Sequence, residues 1–190
     1  GGIECDLTVT RLSEESYLAV VPGATLQRDL SWLKRHKNSF SASIIDFTPA
    51  EAVLVLMGPN SRKILQSISP EDFSNDAHPF GFSKEIEIGY GLARAHRISY
   101  VGELGWELYV SSDMACHVFE EIEKAGKSHE LKLCGLHTLD SCRIEKGFRH
   151  FGHDITDEDH ILEAGLGFTV NLSKGNFIGK EAFLEKKDLG

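Results

Sequence analysis

The stretch YVGELGWELY, residues 100–109, places two glutamates, Glu103 and Glu107, among glycines and aromatic rings. We predict that its glycines allow a sharp turn and that residues 106–110 form a strand. Side chains alternate along a strand, so Glu107 and Tyr109 would share one face. A carboxylate fixed there suits a flat heterocycle with two parallel N–H donors, such as a pterin or a guanine, because charge assistance strengthens such hydrogen bonds. The alternative is an ion pair between Glu107 and a lysine or arginine of the same domain.

A second candidate carboxylate is Asp6, in the opening segment GGIECDLTV. We predict a strand over residues 6–12, and aspartate is disfavoured in strands. Asp6 is therefore either a turn-capping residue or a carboxylate held near a reacting amine. Thr8, two residues further on, would point to the same face.

The segment SCRIEKGFRHFGHDITDEDH, residues 141–160, is rich in charge. Its basic residues crowd the end of a predicted helix: Arg143, Lys146, Arg149 and His150. They could bind an anionic tail or complement the carbonyl groups at the helix end. The pair His150-x-x-His153 resembles a metal motif only superficially, since Gly152 interrupts it and no helical i, i+4 pair forms. We predict no metal site.

Alternating and helical periodicities predict the elements that position these residues. The predicted strands are 6–12, 17–21, 43–48, 52–57, 85–88, 93–100 and 106–110. The predicted helices are 24–37, 60–66, 114–129, 135–146 and 177–185. Strands mostly neighbour strands, with helices interspersed. The sequence thus predicts an α+β fold with mixed or antiparallel sheets and packed helices.

The composition narrows the classes of function. With 190 residues the chain is long enough for one domain or two small, closely packed ones. A formal charge of −9 argues against nucleic-acid binding and against a polybasic membrane surface. No apolar run is long enough to span a membrane. The four cysteines form no C-x-x-C pair and are expected to be free, buried thiols in a reducing compartment.

Phosphate-binding and nucleophile motifs are missing from the sequence. It contains no G-x-G-x-x-G after a strand, no Walker A motif and no G-x-S-x-G. Any redox cofactor would therefore belong to another part of a longer parent chain. We expect residues 1–190 to be an excised domain of such a parent.

Six motifs occur in the order found in one family: GGIECDLTV, LMGPNSRKIL, ISYVGELGWELYV, RIEKGFRHFG, LEAGLGF and FIGKEAF. The chain resembles the aminomethyltransferase-like folate-binding family, which includes the T protein of the glycine cleavage system. The full string YVGELGWEL and the phrase EKGFR resemble the folate-binding region of dimethylglycine and sarcosine dehydrogenases and of dimethylglycine oxidase. The resemblance covers essentially the whole chain.

The resemblance implies a site. It makes Asp6 the general base or charge stabiliser beside the reactive nitrogens of tetrahydrofolate. It places Thr8 in the same pocket, Tyr100 in contact with the folate and Glu107 on the pterin edge, so that the two carboxylates converge on one cavity. It assigns no such role to Glu103, which we take to be structural.

The chain departs from the glycine-cleavage members at two positions, and the second of these departures favours the dehydrogenase branch. Cys5 stands where those members commonly have a first aspartate, and Leu139 stands where they carry an arginine associated with folate. Arg143 or Arg149 could then hold the glutamate tail.

The function expected from the resemblance is one-carbon capture. The chain would be the tetrahydrofolate-binding acceptor region of a flavin-dependent dimethylglycine or sarcosine dehydrogenase. FAD would lie only in the missing part, and 5,10-methylenetetrahydrofolate would form from an iminium derived from a methylated glycine. Alternatives are a folate-dependent demethylase or aminomethyltransferase without flavin, and a regulatory module resembling the regulatory subunit of pyruvate dehydrogenase phosphatase. The expected location is the bacterial cytoplasm or the mitochondrial matrix.

Overall fold

The computed structural model describes residues 1–37 and 40–188. The chain divides into two compact units, one formed by Gly1–Ile44 with Arg149–Gly190 and the other by Ile45–Phe148. Within the described residues the strands pair antiparallel and the helices are interspersed between them. This confirms the predicted α+β class. None of the described helices has the length and apolar character needed to cross a membrane.

The second unit is built on a four-stranded antiparallel sheet in the order β3-β6-β5-β4. Its strands are β3 (Glu51–Met57), β4 (Ser83–Ile88), β5 (Gly91–His96) and β6 (Gly105–Ser111). The alternation is clearest in β4, where Ile86 and Ile88 are buried while Glu85 and Glu87 are exposed. A period of two puts every second side chain on the core face.

Three helices complete this unit: α2 (Ser61–Ile68), α3 (Ala115–Gly126) and α4 (Leu136–Glu145). Helices α2 and α3 contact each other and the sheet. The core that they share with the strands includes Ile64, Leu65, Trp106, Leu108 and Val118. This core cluster packs against the face of β6 that carries Trp106 and Leu108, and Glu107 and Tyr109 lie on the other face.

The first unit contains a two-stranded antiparallel sheet of β1 (Thr8–Arg11) and β2 (Tyr17–Val20). Its helices are α1 (Leu26–His36) and α5 (Lys180–Asp188). A small apolar cluster is formed by Ile3, Phe151, Ile155 and Ala164. Irregular segments tied by turns make up much of the remainder, as expected from the polar sequence after Gly147.

Some predicted elements were wrong. The strand expected over 43–48 is absent, because the Asp46 carboxylate accepts hydrogen bonds from both the backbone N–H and the hydroxyl of Thr48. Such local side-chain bonds compete with a sheet ladder. The strand expected over 93–100 ends at His96, where the Ile98 N–H turns back to the His96 carbonyl.

The two terminal elements also differ from their expected bounds. The last helix begins at Lys180, three residues later than expected, because Gly179 before it has φ of 87°. The first strand begins at Thr8, two residues later than expected. Asp6 therefore lies outside the strand.

Candidate functional site

Strand β6 carries Glu107 on the sheet face opposite the main core. In the register, Glu107 stands opposite Val55 of β3 and His96 of β5. Tyr109 stands opposite Val53 and Arg94. Directly opposed residues share a face, so these six side chains form one patch, which we call the Glu107 face. The predicted pairing of Glu107 with Tyr109 on one face is confirmed.

A tyrosine hydroxyl holds the Glu107 carboxylate. The Tyr109 hydroxyl donates a hydrogen bond of 2.5 Å to Glu107 Oε2. Within the residues that the structure describes, no lysine, arginine or histidine forms an ion pair with Glu107. The described residues therefore do not form the alternative that the sequence left open, an ion pair between Glu107 and a basic side chain of the same domain. The carboxylate keeps acceptor capacity for further N–H donors.

His96, which the sequence reasoning missed, lies directly beside this carboxylate. Only 2% of it is exposed. Burial first, then the positive charge of Arg94 and an interaction with His78, lower the pKa of His96 from 6.5 to about 4. The imidazole is consequently neutral near pH 7 and does not neutralise Glu107. Its ring lies 4.7 Å from that of Tyr109, tilted by 49°.

Two valines give the Glu107 face an apolar border. Val53 and Val55 are 47% and 49% exposed, although they lie in the middle of β3. Exposed apolar side chains beside a fixed carboxylate suit a flat ring that offers hydrogen-bond donors along one edge. The sequence signal for them was the uninterrupted apolar run in β3.

Tyr100 belongs to the loop that leads into β6. Its ring stacks on Phe148, with centroids 6.2 Å apart and planes at 18°. Gly102 follows with φ of 73°, and a Cβ there would overlap the Lys146 side chain. The predicted sharp turn is present at this glycine. Glu103 is exposed.

Asp6 and Thr8 belong to the other unit. Asp6 precedes β1 and is exposed, yet its pKa is raised, mainly because nearby atoms partly desolvate its carboxyl group. An interaction with His150 opposes this shift. A raised pKa makes the carboxylate a stronger base. Thr8 is partly buried and opens β1 opposite Val20.

The four predicted site residues are thus distributed between the units, Asp6 and Thr8 in one, Tyr100 and Glu107 in the other. Tyr109 donates a hydrogen bond to Glu107, and the His96 ring packs on that of Tyr109. His150 interacts electrostatically with Asp6. Convergence of Asp6 and Glu107 on one cavity stays a prediction.

Arg143 is not free to bind a glutamate tail. It is 4% exposed, pairs with Asp140 at 2.5 Å and donates to the Phe148 carbonyl at 3.0 Å. These contacts give it a structural role at the end of α4. The suggestion for Arg149 stays a prediction.

The histidines and cysteines of the chain are potential metal ligands. Among the described residues, no group of three or more histidine, cysteine or acidic side chains is placed to hold a metal ion. All four cysteines are free, as predicted, but Cys116 and Cys134 are exposed, so the expectation that all are buried was wrong.

Comparison with known proteins gives consistent results over the whole chain. The chain is 47% identical over 185 residues to 4-methylaminobutanoate oxidase (formaldehyde-forming) of Paenarthrobacter nicotinovorans, covering 97% of this chain and 22% of that protein. It is 36% identical over 206 residues to mitochondrial sarcosine dehydrogenase of Mus musculus, covering 100% of this chain and 22% of that protein. It thus spans about a fifth of the length of these two relatives.

A solved structure agrees with the fold. The glycine cleavage system aminomethyltransferase T from Bartonella henselae superposes with a TM-score of 0.83 at 27% identity, covering 100% of this chain and 50% of that one. Residues 1–174 match the family described as the GCVT N-terminal domain. The chain belongs to this aminomethyltransferase family, as its six ordered motifs predict.

Proposed function

We propose that the chain is the tetrahydrofolate-binding, one-carbon acceptor region of a flavin-dependent enzyme that oxidises an N-methylated amino acid such as dimethylglycine or sarcosine. The observation that carries the proposal is the Glu107 carboxylate, which lies on a strand with no cationic partner among the described residues and has exposed valines beside it. The names of two relatives support the substrate class, since both act on N-methylated amino acids.

The pterin edge fits the Glu107 face chemically. Its two parallel N–H donors match a carboxylate that Tyr109 already orients, and its flat ring matches the border of Val53 and Val55. The aromatic pair of Tyr100 and Phe148 offers a further flat surface. Binding by Glu107 would fix the position and rotation of the ring, which is how positioning lowers a reaction barrier.

Bound tetrahydrofolate would supply the two nitrogens that take up the one-carbon unit of an iminium, giving 5,10-methylenetetrahydrofolate and releasing the demethylated amine. The contribution of Asp6 would be to accept, one after the other, the two protons that these nitrogens lose and to pass them to the departing amine, which leaves as its ammonium form. Its raised pKa suits this exchange, because a carboxylate with a pKa nearer the working pH both takes and gives a proton more readily.

The binding test uses the full-length protein and calorimetric titration with tetrahydrofolate. We expect Glu107→Gln to weaken binding by about 2 kcal/mol, roughly 30-fold in Kd, as when a charged hydrogen-bond partner is lost. Glu103→Gln is the matched control, since this exposed glutamate lies four residues earlier in the same motif. Equal affinity of the Glu107 variant and the control would reject the assignment.

The catalytic test measures free formaldehyde during oxidation of dimethylglycine, sarcosine and 4-methylaminobutanoate. Asp6→Asn should leave folate affinity unchanged and raise the share of the one-carbon unit released as formaldehyde. Glu14→Gln, an exposed acidic change between β1 and β2, is the control. An unaltered product ratio would remove Asp6 from the mechanism.

A second candidate is a folate-dependent aminomethyltransferase that works without a flavin. It is favoured by the match of the entire chain to the Bartonella henselae aminomethyltransferase. The two candidates separate on one measurement, because only the flavin-dependent enzyme reduces an electron acceptor as it consumes the methylated amine.

A further inference from the structure

Tyr109 and Glu107 are two residues apart on β6 and therefore point to the same face. The phenol of Tyr109 donates to Glu107 Oε2 at 2.5 Å. This is a hydrogen bond to a charged acceptor, the stronger class of such bonds. It restrains the rotation of a carboxyl group that would otherwise be free about three side-chain bonds.

The ring that carries this hydroxyl is itself held in place. Tyr109 is 4% exposed, lies in the interior of the sheet between β3 and β5, and packs on the ring of His96. Burial first and the neighbouring Glu107 second raise the pKa of the phenol, so it keeps its proton and remains a donor. The donor is thus in position before any ligand arrives.

A hydroxyl donor and a cation differ in how many acceptor positions of a carboxylate they leave available for a ligand. A guanidinium can occupy both oxygens of a carboxylate in a paired, two-bond contact. Tyr109 engages Oε2 alone and carries no charge, while His96 on the neighbouring strand is neutral near pH 7. In the described part of the chain no other side chain is hydrogen-bonded to or ion-paired with Glu107, so Oε1 and the second lone pair of Oε2 stay available.

We propose that Tyr109 is a positioning residue that sets the orientation of the Glu107 carboxylate for two parallel N–H donors of the bound ligand. This inference rests on the proposed function, in which that ligand is tetrahydrofolate. Without Tyr109 the carboxylate would lose its side-chain entropy at the moment of binding, which would weaken binding. With Tyr109 most of that freedom is already lost in the folded protein.

The test is a double-mutant cycle on the full-length protein with tetrahydrofolate as the probe. Tyr109→Phe keeps the ring and removes the hydroxyl. We expect it to weaken binding about 5-fold to 10-fold, as expected for part of the restrained side-chain freedom. The double variant with Glu107→Gln should bind no more weakly than Glu107→Gln alone. Tyr90→Phe is the matched control, because this tyrosine is 91% exposed.

Selectivity supplies a readout that a purely structural role would not change. A pteridine analogue that lacks the 2-amino donor cannot use both acceptor positions. The ratio of the two Kd values, analogue over tetrahydrofolate, should therefore be larger for the wild-type protein than for Tyr109→Phe. The two proteins should bind the analogue with the same affinity. Glu107→Asp, which withdraws the carboxylate from Tyr109 but keeps its charge, should lower this ratio in the same way. It replaces Tyr109→Phe in the test if that variant folds poorly.

The outcomes separate the two proposals. Weak binding by Glu107→Gln with wild-type binding by Tyr109→Phe would overturn the positioning role and leave the folate assignment intact. Additive losses in the double variant would also overturn it, since Tyr109 would then act independently of Glu107. Unchanged binding in both single variants would reject the folate assignment and this inference with it.

Discussion

Replacing His96 by glutamine should flatten the dependence of folding stability on acid. In the folded chain the pKa of His96 is lowered to about 4, whereas an unfolded histidine titrates near 6.5. As the pH falls through this window, the unfolded chain takes up a proton that the folded chain refuses. The stabilisation from a neutral, buried His96 is therefore complete above pH 6.5 and is lost as the pH falls towards 4.

The magnitude follows from the gap between the two pKa values. A difference of one pKa unit corresponds to about 1.4 kcal/mol, so the window from 6.5 to about 4 accounts for at most ~3 kcal/mol. The largest cause is desolvation, consistent with a side chain that is 2% exposed. This desolvation penalty must outweigh the attraction between His96 and the Glu107 carboxylate on the neighbouring strand, because that attraction favours a charged imidazole.

The assay is urea denaturation followed by circular dichroism at several pH values between 4 and 7. The difference in unfolding free energy between wild type and His96→Gln should change by up to about 3 kcal/mol across the window, in the direction of a relatively more stable variant at low pH. His137→Gln, at an exposed position on α4, should give a much smaller change. A constant difference for His96→Gln would show that Glu107 compensates for burial, and would refute the reasoning.

Three further changes test other parts of the structure. Asp6→Asn should stabilise the chain increasingly as the pH rises above about 4, because the raised pKa of Asp6 means that folding disfavours its charged form. The midpoints of urea denaturation at pH 4 and pH 7 measure this gain, and a gain confined to pH 4 would contradict the prediction. Leu108→Ala should cost about 2–5 kcal/mol of unfolding free energy because Leu108 is fully buried, whereas Val53→Ala, at an exposed position, should cost much less. Equal losses of the two variants in chemical denaturation would show that Leu108 is not buried. Gly2→Ala should cost roughly 1–3 kcal/mol of unfolding free energy, since its Cβ would overlap the Asp157 carbonyl oxygen. An unchanged melting temperature would place that carbonyl elsewhere.

Local periodicity was enough to predict the strand that carries Glu107 and the face that it shares with Tyr109. The same reasoning could not find His96, because its position beside Glu107 depends on the pairing of β5 with β6. Register between strands is set by contacts distant in sequence, which no short window contains.

The errors had local physical causes as well. The apolar residues over 43–48 suggested a strand, but Asp46 bonds to Thr48 and the chain turns instead. For Asp6, alternation predicted a place inside a strand, whereas pairing with β2 begins only at Thr8. The raised pKa of Asp6 depends on desolvation by its surroundings, a property that the residue types alone do not reveal.

The two outer strands of the four-stranded sheet carry very different risks of aggregation. Strand β4 interleaves its isoleucines with Lys84, Glu85 and Glu87, and such charges discourage another chain from adding a strand. Strand β3, at the opposite edge, reads AVLVLM over residues 52–57, with no charge and no proline. Concentrated solutions of the chain should therefore self-associate through β3 first, and a lysine introduced at Val53 should delay the onset of light scattering.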